Sequence, residues 1–146
     1  MTTETINIKL GLSGTYWRRQ PEFSVSIDGE EKHTSLVKEE SGKKFFVDFD
    51  VELAEEQDHV LEIRLFNKMD SDTVQDESKT KILKDMLLNI ESLEIDGISI
   101  DRLLWEKCEY IADNGESMSH CVNLGKNGTW SLKFQCPFYI WLLENM

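Results

Sequence analysis

Between Asn67 and Gly97 the chain concentrates side-chain oxygens. It reads Asn67-Lys68-Met69-Asp70-Ser71-Asp72 at the end of an apolar strand. A polar loop holding Asp76 and Glu77 follows, and the segment ends in the run Asp85 to Asp96-Gly97. Alternate carboxylates of a turn can converge on a hard cation, and Ca²⁺ is bound by oxygens in such loops. Asn67, Asp70, Asp72 and Asp85 are the candidate metal ligands, with Asp76 beside them. The spacing lacks the glycine and terminal glutamate of an EF-hand. A solvated acidic loop whose aspartates cap turns has the same composition, and both readings stand at this point.

A second group is Tyr16-Trp17-Arg18, followed by Arg19, in a loop bracketed by Gly14 and Pro21. An aromatic ring offers a flat apolar face that suits the C–H face of a pyranose, and arginine adds directional donors. Tyr16, Trp17 and Arg18 are the candidate ligand-binding residues. The competing expectation is that Trp17 packs under the loop as core.

The elements that must carry these loops are written in period two. Ile6, Ile8, Leu10 and Leu12 alternate with Asn7, Lys9 and Gly11. Phe23, Val25 and Ile27 alternate with serines, and Phe45, Val47, Phe49 and Val51 with Phe46, Asp48 and Asp50. Leu61, Ile63 and Leu65 continue the pattern, and Leu87 to Ile95 forms a longer strand. Such alternation marks half-buried antiparallel strands. Asp28-Gly29 is a tight-hairpin signal, since both residues tolerate positive φ. Asp96-Gly97 and Asn127-Gly128 are read the same way, the latter joining Val122–Leu124 to Trp130–Phe134. Thr80 to Leu88 is expected to be a loop entering a strand. Pro137 starts a new apolar element, Phe138 to Leu143, expected to close the core as a last strand or to be buried against another subunit. Trp105 and Trp130 are expected in the core. Many short strands with turns between them predict an all-β, jelly-roll β-sandwich spanning residues 1–146 as one domain.

Bulk properties narrow the function. The 146 residues suffice for one substantial core, and 40% are apolar, which excludes a disordered chain. No apolar run reaches the ~18 residues that span a bilayer. The polar N-terminus lacks the pattern of a signal peptide, so synthesis in a cytoplasm is expected. A net charge of −12 argues against nucleic acid, whose phosphates require clustered Lys and Arg. It suits cations, basic partners or neutral sugars. Cys108, Cys121 and Cys136 are odd in number and lack a C-x-x-C. A zinc site would need His120 as the fourth ligand, and reduced structural thiols are the simpler reading. The histidines are scattered and no nucleophile elbow or phosphate loop is present, so no catalytic residue is assigned.

The order of motifs resembles the calcium-dependent xylan-binding carbohydrate-binding modules. It rests on Pro21-Glu22-Phe23-Ser24-Val25-Ser26-Ile27-Asp28-Gly29, on the strand His59 to Leu65 running into Asn67-Lys68, and on Asp85, Leu88, Ile90, Glu91, Leu93, Ile95 and Gly97. It covers roughly residues 5 to 100. The resemblance implies a β-sandwich in which loop acids and backbone carbonyls hold Ca²⁺ and the ion bridges to sugar hydroxyls. This chain departs where the family has Asn-Asp, since Lys68 stands in place of an acid. The stretches Asn67–Gln75, Lys84–Ser92 and Pro137–Met146 resemble small proteins of tailed marine phages. That implies a non-enzymatic virion structural or accessory protein made in the host cytoplasm. Its partners would be other virion proteins, its own copies or a cell-surface glycan. A stand-alone calcium-dependent glycan-binding module is the alternative, and a polysaccharide-acting enzyme comes third.

Overall fold

The computed structural model describes residues 2–146. In chain order the elements are β1 (Thr3–Thr15), β2 (Glu22–Ile27), β3 (Glu30–Leu36), β4 (Phe45–Ala54) and β5 (Gln57–Leu65). A 3₁₀ turn (Asp70–Asp72), β6 (Val74–Gln75), β7 (Ile82–Lys84), β8 (Leu87–Ile95) and β9 (Ile98–Ser99) follow. The chain finishes with α1 (Asp101–Lys107), β10 (Glu109–Ala112), β11 (Ser117–Ser119), β12 (Asn123–Leu124), β13 (Gly128–Cys136) and α2 (Phe138–Asn145).

Two antiparallel sheets, ordered β12-β8-β1-β4 with β9 on β8, and β11-β10-β13-β5-β2-β3, make the sandwich, and β6 and β7 form a separate two-stranded ribbon. The expected β-sandwich is therefore present. Period-two alternation dictates which faces meet. Ile6, Ile8, Leu10 and Leu12 of β1 are fully buried, as are Leu61, Ile63 and Leu65 of β5 and Trp130 and Leu132 of β13. Sequestering such side chains contributes roughly 1.5–3 kcal/mol each relative to exposure. The outer face of the first sheet is polar: Asn7 Nδ2 donates to Asp48 Oδ1 (2.7 Å) and Asp50 Oδ1 (2.9 Å). Phe46 lies on the surface there, with Lys9 Nζ 4.5 Å from its ring centroid.

The Asp-Gly turns form as the sequence predicts. Asp28 and Gly29 have φ of 51° and 82°, and Asp96 and Gly97 have 52° and 76°. Asp28 also ties two elements together. Its carboxylate accepts from Val60 N–H (2.9 Å) and lies 2.6 Å from His59 Nδ1, while His59 Nε2 lies 2.7 Å from the Ala54 carbonyl.

Three expectations are corrected. Asn127-Gly128 is not a hairpin: β12 pairs with β8, and β13 pairs with β10 and β5. Gly128 is required by close approach, because a Cβ there would sit 2.5 Å from the Ile111 carbonyl oxygen. The apolar tail is a helix, not a strand. Phe138, Trp141 and Leu142, at helical spacing, are buried, and the rings of Phe134, Phe138 and Trp141 lie within 6.4 Å of one another. A short continuous apolar run does not distinguish the two periods. Tyr139, Ile140 and Leu143 are consequently exposed. Trp105 is half exposed on α1, stacked on His120 at 4.5 Å, whereas Trp130 is core. No helix among the described residues is long and apolar enough to cross a membrane.

Candidate functional site

The segment leaving β5 crosses one end of the sandwich before β8 begins. Asn67 anchors its start. Its carboxamide oxygen accepts from Glu22 N–H (2.8 Å) and its Nδ2 donates to the Gln20 carbonyl (3.0 Å). Asn127 then clamps Lys68: Lys68 N–H donates to Asn127 Oδ1 (2.8 Å), and Asn127 Nδ2 donates to the Lys68 carbonyl (2.9 Å). The Asp70–Asp72 turn follows, and β6 pairs with β7 beyond it.

Asp72 is the buried centre of the turn, with 1% of its side chain exposed. Its carboxylate receives Arg19 Nη2 at 2.8 Å and Met69 N–H at 2.8 Å, with Arg18 Nε 3.7 Å away. The hydrogen bond from Arg19 is the main reason that the Asp72 carboxyl lies below the ordinary aspartate range; burial opposes it, and the Met69 amide assists. Arg19 Nη2 also bonds the Asn67 carbonyl. Trp17 Nε1 donates to the Asp72 carbonyl (2.9 Å), and Arg18 Nη1 to Ser71 Oγ (2.6 Å).

Asp85 is the second anchored carboxylate. Its Oδ1 accepts from Lys68 Nζ (2.6 Å), Thr73 Oγ1 (2.7 Å) and Met86 N–H (2.8 Å). Burial works to raise this carboxyl, but Lys68, Thr73 and the Met86 amide together outweigh it, and the net direction is down. Lys68 Nζ also donates to the Gly125 carbonyl.

These contacts decide where each candidate residue stands. Asp72 and Asp85 are brought into one end of the molecule, but each faces its own cation, Arg19 and Lys68. Asn67 is engaged by backbone, and Asp70 is exposed. Asp76 organises the β6–β7 turn by accepting from Thr80 N–H (3.0 Å). A calcium ion takes about six to eight oxygens. Among the described residues, no three His, Cys, Asp or Glu side chains converge as a metal cage. The donors as arranged do not fit that ion. His120 and Cys121 likewise join no such group; the three cysteines are free, with Cys108 and Cys136 buried.

The aromatic loop is divided. Tyr16 is a latch, its hydroxyl donating to the Glu39 carbonyl at 2.7 Å. Trp17 is 43% exposed, held edge-on by its bond to Asp72 and with Lys84 Nζ 4.8 Å from its ring centroid. It is not core. Arg18 and Arg19 face the Asp72 turn.

Beside this turn opens a cleft of ≈540 Å³ between the 68–75 segment on one side and residues 112–114 and 125–127 on the other. Lys68, Asp70, Thr73 and Gln75 line one wall, and Asp113, Asn114 and Lys126 the other. Its lining carries both hydrogen-bond donors and acceptors. The far wall is held in place by Tyr110, whose hydroxyl bonds the Lys126 carbonyl and accepts from Lys126 N–H (3.0 Å). Sequence reasoning did not find this wall. Its residues are distant in the chain from Asn67–Asp85, and Asn127-Gly128 carried the signature of a turn.

No protein-family model and no curated protein matches the chain. Solved structures do. One, described as vCBM60 in complex with galactobiose, aligns with TM-score 0.52 at 12% identity over 86% of this chain and 96% of its own. Another is the selenomethionine form of vCBM60, described within work linking two families of calcium-dependent carbohydrate binding modules by circular permutation. It aligns with TM-score 0.53 at 11% identity over 87% of this chain and 89% of its own. The protein thus has a carbohydrate-binding-module-like β-sandwich fold.

Proposed function

We propose that this protein binds a neutral glycan without catalysing its cleavage, using the cleft between the 68–75 segment and the 112–114 and 125–127 loops. The observation that carries the reading is the pairing of that cleft with the exposed Trp17 ring, whose indole N–H is bonded to the Asp72 carbonyl of the 68–75 segment. Sugar hydroxyls both donate and accept, which suits a wall of lysine, carboxylate, hydroxyl and carboxamide groups. A flat indole face adds apolar contact with sugar C–H groups. The cleft falls within the size range of small-ligand sites. The net charge of −12 favours an uncharged ligand over an anionic one. The likeness in fold to a module described in complex with galactobiose supports the same choice. A neutral glycan array screened with native protein and with Trp17→Ala and Asn114→Ala tests it. Binding by the native chain that both variants weaken supports the reading, and release of shortened products would replace it with an enzyme.

A second reading concerns assembly. Tyr139, Ile140 and Leu143 leave an apolar strip on α2, beside a cleft of ≈490 Å³ formed with α1 and β9. With the phage-like stretches in the sequence, this strip supports a virion structural or accessory role, in which the helix face docks on other particle proteins or on its own copies. The protein would then be made in the host cytoplasm and carried in the particle. Detection in purified particles, with loss of incorporation in Leu143→Asp, tests that role. A calcium-dependent glycan module remains a separate reading of the cleft. It requires Asp85 to leave Lys68 for a metal, and it predicts binding that chelator abolishes.

A further inference from the structure

We infer that Lys68 is a tethered cation that stands in for a divalent metal in the 67–85 loop, so that the cleft works without calcium. Resting on the glycan reading only for its ligand, the inference stands on the disposition of one ammonium group. Lys68 Nζ sits among oxygens of the kinds a hard cation selects: the Asp85 carboxylate at 2.6 Å and the Gly125 carbonyl, with Thr73 Oγ1 on the same carboxylate oxygen. The pair is secluded, with 11% of the lysine and 18% of the aspartate side chain exposed. Seclusion matters because a charge removed from water requires a partner, and this carboxylate has one that cannot diffuse away.

The backbone holds the ammonium in register. Asn127 bonds both the N–H and the carbonyl of Lys68, so the side chain starts from a fixed point on the cleft wall. An ammonium carries three donors. Two meet Asp85 and Gly125, and no protein partner meets the third among the described residues. Because Lys68 lines the cleft, that third donor is available to a ligand hydroxyl. The neighbouring carboxylate, Asp72, is neutralised by Arg19 in the same manner. Both anchored carboxylates of the segment, the buried Asp72 and the half-buried Asp85, therefore have built-in counter-ions, and neither is left to recruit a metal.

Removing the ammonium reverses this. Lys68→Asp leaves two carboxylates, the Thr73 hydroxyl and the Gly125 carbonyl around the vacated position, a hard-oxygen set with no counter-charge. Selective binding to the folded state raises the unfolding midpoint by mass action. The experiment is thermal unfolding of native protein, Lys68→Asp and Lys68→Met, each in chelator and in millimolar CaCl₂. The inference expects no calcium response in native protein or in Lys68→Met, and a rise on the order of 5 °C in Lys68→Asp. If Lys68→Asp is unfolded in chelator, recovery of the near-ultraviolet dichroism on adding CaCl₂ counts as the same result. A calcium-induced rise in native protein overturns the inference, and so does a Lys68→Asp variant that ignores calcium or stays unfolded in it.

Array binding of the native chain in chelator separates this from the glycan reading. Sugar binding that persists in chelator and drops at least tenfold in Lys68→Met supports both. No sugar binding under any condition, with the calcium response confined to Lys68→Asp, removes the glycan reading and keeps the tethered cation. Sugar binding abolished by chelator keeps the glycan reading and removes the tethered cation.

Discussion

The guanidinium of Arg19 lies 2.8 Å from Oδ2 of Asp72, a carboxylate with 1% of its side chain exposed. The pair joins the loop before β2 to the turn after β5, and its two members are not equivalent. Arg19 is about a third exposed and can turn to water when its partner is removed; Asp72 cannot. Arg19→Ala is therefore expected to destabilise by about 3 kcal/mol, because the buried carboxylate keeps only the Met69 N–H and the more distant Arg18. Arg18→Ala, whose nitrogen is 3.7 Å away, should cost under about 1 kcal/mol. Urea unfolding of the two variants measures the difference, and equal costs would contradict this ranking.

The depressed carboxyls set the acid limit of stability. Asp72 and Asp85 both lie below their ordinary value of 3.8 in the folded chain. The unfolded chain then binds more protons as pH falls, so the stability they contribute is complete above that ordinary value and is lost below it. Unfolding midpoints measured from pH 5 downward should fall more steeply in native protein than in Asp72→Asn. The alkaline side has the opposite sign. Burial pushes Tyr110 and Cys136 up to about 12, from 10.0 and 9.0. Their contribution is complete below pH 9 and is lost as pH rises towards 12, because the unfolded chain ionises first. Cys136→Ser should soften that alkaline decline.

Under the proposed glycan reading, Trp17 separates binding from folding. Its ring is 43% exposed and its indole N–H makes one protein bond. Trp17→Phe keeps a ring and loses that bond, at a cost of about 1 kcal/mol. Trp17→Ala removes the platform as well, and glycan affinity should drop on the order of tenfold. Titration calorimetry beside thermal unfolding distinguishes the two losses.

The two faces of α2 should behave oppositely. Trp141 packs on Phe134 and Phe138, and Trp141→Ala is expected to cost about 3–5 kcal/mol. Leu143 is 64% exposed, and Leu143→Asp should change stability by less than about 0.5 kcal/mol. If sedimentation shows the native chain to self-associate, that variant should abolish the association.

Legibility followed the range of the interaction. Alternation at Ile6–Leu12 and Leu61–Leu65 reports a backbone period and one buried face, both local properties, so the strands and the antiparallel sandwich could be read directly. The Asp28-Gly29 and Asp96-Gly97 turns rest on φ preferences of single residues, and they too were legible. The helix at Phe138–Asn145 was not, because an unbroken apolar run carries no period until something chooses which side chains to cover. At the site, the residue types alone pointed to the segment Asn67–Asp85 and to Trp17. They did not reveal what each carboxylate faces. Arg19 is 53 residues from Asp72, Lys68 meets the Gly125 carbonyl across 57, and Asn127 clasps Lys68 across 59. A run of acids and amides reads the same whether it awaits a metal or already holds a lysine; only the folded chain, by bringing distant charges within about 3 Å under cover from water, makes that choice.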